Sequence, residues 1–149
     1  EFYRRENYLK RTRNFYDDGS IIKVITGIRR CGKSTLLKSI IEKQEKGIPE
    51  KDIISIELDK KEFKKIVTPE QLEEEIDKRI TDKDFKYLFI DEIENVKNFE
   101  PVVNAYREEG NISVFITGSN SYLLSGELLM SIRKCTKLYI SLLTLTFVL

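Results

Sequence analysis

The sequence predicts an α/β fold in which helices cover both faces of a five-stranded, mainly parallel sheet, forming a three-layer sandwich. Three observations support it. Apolar runs alternate with helix-like stretches five times along the chain. The runs are almost continuously apolar, which is typical of parallel strands buried on both faces. Several runs end directly in glycine, acidic or hydroxyl residues, at the edge where such sheets bind ligands.

The strands and helices follow from changes in apolar period. The first strand is Ile21–Ile25, which stops at Thr26-Gly27, and a helical period with leucines and isoleucines on one face follows the next loop. Thr68, Pro69 and Gln71 predict a helix start, as a cap, a first helical residue and a capping box. The other predicted elements are strands at 53–58, 85–90, 112–117 and 137–140, and helices at 68–80, from Asn98 to Glu109 and at about 125–132.

Length and composition limit the class of protein. A chain of 149 residues with 40% hydrophobic and 34% charged residues is expected to be one globular domain, residues 1–149. Its net charge of +1 gives no support for nucleic acid as a partner. With no long apolar segment and no secretory leader, we expect a cytoplasmic protein without a membrane partner.

Histidine and cysteine usage narrows the chemistry. Because the chain has no histidine, Ser-His-Asp and Cys-His nucleophiles and most zinc sites are excluded. Cys31 and Cys135 are far apart in sequence, and we expect free thiols in a reducing compartment. Any catalysis must use carboxylates, lysine, arginine and a metal ion.

The loop after the first strand has the pattern G-x-x-x-x-G-K-[ST] of a phosphate-binding loop. Its glycines let successive backbone N–H groups surround a polyphosphate, and the next helix adds its positive N-terminus. Lys33 can reach the β- and γ-phosphates, and the hydroxyl of Ser34 can hold Mg²⁺. A glycine-containing turn with a chance Lys-Ser is the alternative. The expected nucleotide-binding residues are Gly27, Ile28, Arg29, Arg30, Cys31, Gly32, Lys33, Ser34 and Thr35.

Two later strand ends carry candidate catalytic residues. Asp91 and Glu92 follow an apolar strand, which is the form of a Walker B motif; Asp91 can hold Mg²⁺ and Glu92 can act as a general base toward water. One strand intervenes between the phosphate loop and this acid pair, as in the additional-strand, catalytic-glutamate class of P-loop NTPases. Ser119 or Asn120 can sense the γ-phosphate, and the pattern does not choose between them. Acids leaving a strand for solvent and a simple Ser or Asx turn are the alternatives.

The sequence resembles the prokaryotic AAA+-type ATPases that join an N-terminal P-loop domain to a C-terminal domain of unknown function. The matching stretches are KVITGIRRCGKSTLL, YLFIDEIENVKNFE and VFITGSNSYLLSGEL, within a similarity from about Arg5 to Ile140. The resemblance implies binding and hydrolysis of ATP with Mg²⁺. It assigns Lys33 and Ser34 to the phosphate loop, Asp91 and Glu92 to Walker B, and Ser119 or Asn120 to the sensor.

The C-terminal part departs from that family. The family has a Gly-Arg pair after the short helix, whereas Arg133 here lacks the glycine, so its role as an arginine finger is open. The family's second domain is missing here, and we expect an isolated ATPase domain, one truncated at its C-terminus, or a degenerate copy.

Three functions remain open. The first is an ATPase, with ATP and ADP as ligands and a homo-oligomer as one form. The second is a nucleotide-gated binding module with little or no hydrolysis. The third is a small-molecule phosphotransferase, for which the sequence offers neither an arginine-containing lid nor an acceptor pocket.

Overall fold

Five apolar runs form one parallel sheet in the part of the chain that the structure describes. The structure is a computed structural model that describes residues 19–20, 22–27, 47–119 and 139–141. The strands are β1 (Ile22–Gly27), β2 (Ile53–Glu57), β3 (Lys86–Asp91), β4 (Ile112–Ser119) and β5 (Tyr139–Ser141). Their order is β2-β3-β4-β1-β5, and every neighbouring pair is parallel. The predicted α/β class with a parallel sheet is confirmed.

Two strands extend further than the apolar pattern predicted. β1 continues to Gly27 and β4 to Ser119, because Thr26 pairs with Gly118 and Gly27 with Ser119. The prediction that these strands end at Ile25 and at Thr117 was therefore wrong. Backbone pairing across a parallel sheet does not require apolar side chains, so two strands can hold each other beyond the end of their apolar runs.

The described ranges contain two α-helices, α1 (Pro69–Arg79) and α2 (Glu100–Glu108). α1 begins as predicted. The N–H of Gln71 donates to Thr68 Oγ1 at 3.2 Å, and Gln71 Oε1 accepts the N–H of Thr68 at 3.1 Å, which completes the capping box. None of the helices in the described ranges has the length and apolar character needed to span a lipid bilayer.

The start of α2 differs from the prediction that Asn98 opens it. Asn98 has a positive φ of 54°, and the helix begins at Glu100 with Phe99 as its N-cap residue. A left-handed backbone is a conformation that asparagine tolerates better than most residues. Asn98 therefore turns the chain before the helix instead of capping it.

Side chains of β3 and of residues 112–117 in β4 are buried on both faces of the sheet. All six residues of β3 are buried, as expected for a central parallel strand. One face joins the apolar residues of α1 and α2 in a single core that includes Val24, Leu72 and Val103. On the other face Phe89 and Phe115 stack with their ring centroids 4.6 Å apart.

Short turns link these elements. Single 3₁₀ turns cover Glu50–Asp52, Lys61–Phe63 and Ile93–Asn95. The charged connection at 59–65 is exposed at its charged residues, but Phe63 anchors it in the core with 5% exposure. The helix predicted after the phosphate-binding loop and the one predicted at about 125–132 lie outside the described residues.

Candidate functional site

The ends of three neighbouring strands define the candidate site. β1, β4 and β3 are adjacent and parallel, so their carboxyl ends lie at one edge of the sheet. β4 lies between β1, which leads into the predicted phosphate loop, and β3, which ends at Asp91. With strands about 4.8 Å apart, β1 and β3 are separated by about 10 Å. That separation allows groups from both strand ends to contact one bound polyphosphate.

Asp91 is held by a hydroxyl from the neighbouring strand. It is the last residue of β3 and is 4% exposed, and Thr117 on β4 is completely buried. The Thr117 hydroxyl donates a hydrogen bond to Asp91 Oδ1. The backbone of Asp91 is also tied to the sheet edge, because its carbonyl accepts the N–H of Leu58 at 3.2 Å. Side chain and main chain of Asp91 are thus fixed from opposite sides, by β4 and by the end of β2.

Glu92 adopts a left-handed backbone conformation, with φ 56° and ψ 50°. This conformation costs a non-glycine residue about 1–2 kcal/mol. The N–H of Glu92 donates to Thr117 Oγ1 at 3.0 Å, which stabilises the turn. The turn directs the chain out of the sheet immediately after Asp91, and Glu92 is half-buried.

The segment after Glu92 is anchored in the core. The N–H of Asn95 donates to the Glu92 carbonyl at 3.0 Å and closes a 3₁₀ turn. Ile93, Val96 and Phe99 are each 0% exposed. Because both sides of Glu92 are fixed, by Asp91 in the sheet and by these apolar anchors, its main chain is pre-organised.

The structure brings some predicted site residues to this edge and leaves others undescribed. Gly27 and Ser119 are paired at the ends of β1 and β4, and Asp91 and Glu92 lie at the end of β3. The remaining predicted residues lie outside the described ranges: Ile28, Arg29, Arg30, Cys31, Gly32, Lys33, Ser34, Thr35, Asn120 and Arg133. Their functions stay predictions, as does the choice between Ser119 and Asn120.

Sequence reasoning missed Thr117. It was assigned only to the fourth strand, although its hydroxyl contacts both Asp91 and Glu92. A signal was present, since Thr117 is a polar residue at the end of an apolar run and lies two residues before the predicted sensor residue Ser119. The pairing of β4 with β3, which places it beside Asp91, could not be derived from the sequence.

A second acidic cluster lies near the amino ends of β2 and β3, at the other end of the strands from the candidate site. Oxygens of Asp52, Asp82 and Asp84 lie within 4.8 Å of one another. Two lysine ammonium groups already form ion pairs with all three: Lys86 contacts Asp52 and Asp82, and Lys51 contacts Asp82 and Asp84. The cluster is therefore an ion-pair network instead of a metal centre.

Comparison with known proteins identifies the family and the fold. A family model described as an AAA domain matches residues 20–148. An uncharacterized protein of Haemophilus influenzae is 38% identical over 126 residues, which cover 83% of this chain and 31% of that protein. An uncharacterized protein of Methanocaldococcus jannaschii is 39% identical over 112 residues, which cover 75% of this chain and 24% of that protein. The chain thus spans about a third or less of the length of these relatives.

Solved structures share the fold at low sequence identity. A DNA polymerase III gamma subunit-related protein of Thermotoga maritima superposes with a TM-score of 0.62 at 13% identity, covering 89% of this chain and 44% of that one. Cdc6p of Pyrobaculum aerophilum superposes with a TM-score of 0.59 at 12% identity, and the match covers 93% of this chain and 44% of Cdc6p. PCH-2 of C. elegans superposes with a TM-score of 0.53 at 17% identity, and the match covers 80% of this chain and 34% of PCH-2.

Proposed function

The chain belongs to the AAA domain family, and from that premise we propose that it binds ATP together with Mg²⁺ and hydrolyses the ATP. One observation carries the proposal. A buried carboxylate, Asp91, and a half-buried one, Glu92, stand next to each other at the end of β3. They lie two strands away from β1, whose end leads into the sequence G-x-x-x-x-G-K-S.

In the proposed reaction the phosphate loop binds the nucleotide. Backbone N–H groups of residues 27–34 and the ammonium of Lys33 bind the β- and γ-phosphates. Glu92 accepts a hydrogen bond from the attacking water and orients it in line with the γ-phosphate. Ser119 or Asn120 contacts the γ-phosphate from the end of β4. Because charge and geometry are set before attack, these residues stabilise the transition state mainly by positioning.

The residues at the edge fit Mg²⁺. This ion prefers oxygen ligands, and Asp91 supplies a carboxylate fixed by the Thr117 hydroxyl. Asp91 and Ser34 would hold the ion, directly or through water. Held there, the ion would supply positive charge against the negative charge that develops on the phosphate.

Calorimetry on the parent protein and on Lys33→Ala tests the proposal. ATP and ADP are titrated in excess Mg²⁺ and again in EDTA. We expect the parent to bind both nucleotides more tightly with Mg²⁺, and Lys33→Ala to lose binding, because the ammonium that neutralises the phosphates is gone. Absence of nucleotide binding by a folded parent protein would overturn the proposal.

Turnover measured beside binding distinguishes an ATPase from the nucleotide-gated binding module. Hydrolysis that rises steeply with protein concentration would support a homo-oligomeric ATPase in which a neighbouring copy completes the site. Tight binding with no turnover at any concentration would support the module. Phosphate transfer to an added nucleoside or sugar would instead support a phosphotransferase.

A further inference from the structure

The hydroxyl of Thr117 is committed to both acidic residues of the proposed site. It donates to Asp91 Oδ1 and accepts the Glu92 N–H at 3.0 Å. A backbone N–H can only donate and an ionised carboxylate can only accept. The single hydroxyl proton must therefore point at Asp91. In this arrangement Thr117 has no proton left with which to contact a phosphate oxygen, so it is not a phosphate sensor.

The surroundings of Thr117 keep this geometry fixed. Thr117 is 0% exposed and lies on β4, between β1 and β3. A β-branched side chain has a restricted χ1 angle, so its hydroxyl has few alternative positions. Water does not compete for these hydrogen bonds in a fully buried position.

We propose that Thr117 is a positioning residue that holds the Asp91 carboxylate and the Glu92 turn in a fixed mutual arrangement before nucleotide and Mg²⁺ bind. The inference rests on the proposed function, because it assigns a role to Thr117 through the two acids. Groups that hydrogen-bond to a metal ligand typically contribute about 10- to 100-fold to metal affinity. Thr117 would contribute by this route without touching the ion or the nucleotide.

The test compares Thr117→Val, which keeps the shape and loses the hydroxyl, with Thr117→Ser, which keeps the hydroxyl. For each variant the ATP dissociation constant is measured in excess Mg²⁺ and in EDTA. The constant in EDTA divided by the constant in Mg²⁺ gives the contribution of Mg²⁺ to affinity, called here the Mg²⁺ ratio. We expect Thr117→Val to lower this ratio by about tenfold or more and Thr117→Ser to stay near the parent. Affinity in EDTA should be unchanged in both.

Tyr106→Phe is the matched control. The Tyr106 hydroxyl also donates to a carboxylate, Asp77 Oδ1 at 2.5 Å, with the Glu73 carbonyl oxygen 3.2 Å away, but it lies between α1 and α2. Its loss should lower thermal stability and leave the Mg²⁺ ratio unchanged. A Thr117→Val protein that is folded and keeps the parent ratio would overturn the inference. A folded Thr117→Ser protein whose Mg²⁺ ratio falls well below that of the parent would also overturn the inference.

Amide exchange on the parent protein tests Thr117 without nucleotide and without a variant. We expect the Glu92 amide hydrogen to be protected like the amides of β4, since it is bonded to a buried hydroxyl. Exchange at the rate of an exposed loop would overturn the inference, even if Thr117→Val does not fold. If the Glu92 amide is protected but the parent binds no nucleotide, the proposed function fails while the Thr117 bridge stands.

Discussion

Lys86 and Asp52 form a buried ion pair, with Lys86 Nζ 2.5 Å from Asp52 Oδ1 and side-chain exposures of 1% and 8%. Lys86 opens β3, and Asp52 immediately precedes β2. The pair therefore ties two neighbouring strands at their amino ends, whereas the candidate site lies at the carboxyl ends. Burial lowers the pKa of Lys86, but its hydrogen bonds to Asp52 and Asp82 outweigh burial and raise the pKa above its ordinary value. Lys86 is therefore charged at neutral pH and depends on its carboxylate partners.

We expect Lys86→Met to destabilise the protein by about 3–5 kcal/mol, because it leaves the buried Asp52 carboxylate without its partner. Urea denaturation measures the effect. Lys51→Met is the control, since Lys51 is 49% exposed and such surface pairs contribute about 0–1 kcal/mol. The double variant Lys86→Met with Asp52→Leu should recover much of the loss. Equal losses in Lys86→Met and Lys51→Met would contradict the prediction.

Asp82 should make stability depend on pH in the acid range. Hydrogen bonds from Lys51, from Lys86 and from the Asp84 N–H hold the pKa of Asp82 well below its ordinary value. A depressed folded-state pKa stabilises the protein above the unfolded-state pKa of about 4, and the stabilisation is lost as the pH falls toward the folded-state value.

The variant Asp82→Asn tests this dependence, and its amide oxygen can still accept the Asp84 N–H. We expect the parent to be more stable than Asp82→Asn by a constant margin above about pH 5, and the margin to shrink below about pH 4. Urea denaturation between pH 3 and pH 7 measures it. A margin that grows on acidification would show that the sign is wrong. Asp84→Asn, which removes a more exposed carboxylate bonded to Lys51, should show a smaller margin.

The turn before β1 requires glycine at position 19. A Cβ on Gly19 would lie 2.7 Å from the carbonyl oxygen of Gly110, a backbone atom that cannot rotate away. Gly110 itself has a φ of +79°, but a Cβ there would meet nothing within 4 Å. We expect Gly110→Ala to cost about 1 kcal/mol through its backbone conformation alone, and Gly19→Ala to cost about 1–3 kcal/mol through overpacking. Urea denaturation compares the two, and a smaller loss in Gly19→Ala would refute the steric argument.

Local signals in the sequence predicted local structure well. Thr68, Pro69 and Gln71 fixed the start of α1 because capping is decided by residues within one turn of each other. The strand ending at Asp91 was also recognised, because its apolar run is bounded by charged residues. These features depend on neighbours in sequence, so a single sequence contains the information.

Features set by pairing between distant segments could not be predicted in the same way. The strand that precedes β3 in sequence, β2, lies at the edge of the sheet, whereas β4 separates β1 from β3 in space. This order decides that Thr117 reaches Asp91. It also gives the buried Lys23 its partner, since Lys23 Nζ donates to Ser113 Oγ on β4 at 2.7 Å. A lysine within an apolar strand shows in the sequence only as an interruption.

The proposed role of Glu92 as the water-orienting base gives the sharpest test of the proposed chemistry. Glutamine keeps the shape of the side chain but cannot accept a proton as a carboxylate does. We expect Glu92→Gln to bind ATP with Mg²⁺ as the parent does and to hydrolyse it about 10²–10⁴ times more slowly, which is the usual contribution of a general base. The hydrogen bond from Glu92 to Thr117 uses only the backbone N–H of Glu92, so the substitution should leave the turn intact.

Steady-state phosphate release measures turnover and calorimetry measures binding. Glu94→Gln, two residues further along the chain, is the control. Unchanged turnover in Glu92→Gln would remove Glu92 from the mechanism, while loss of nucleotide binding would show that it acts before the chemical step.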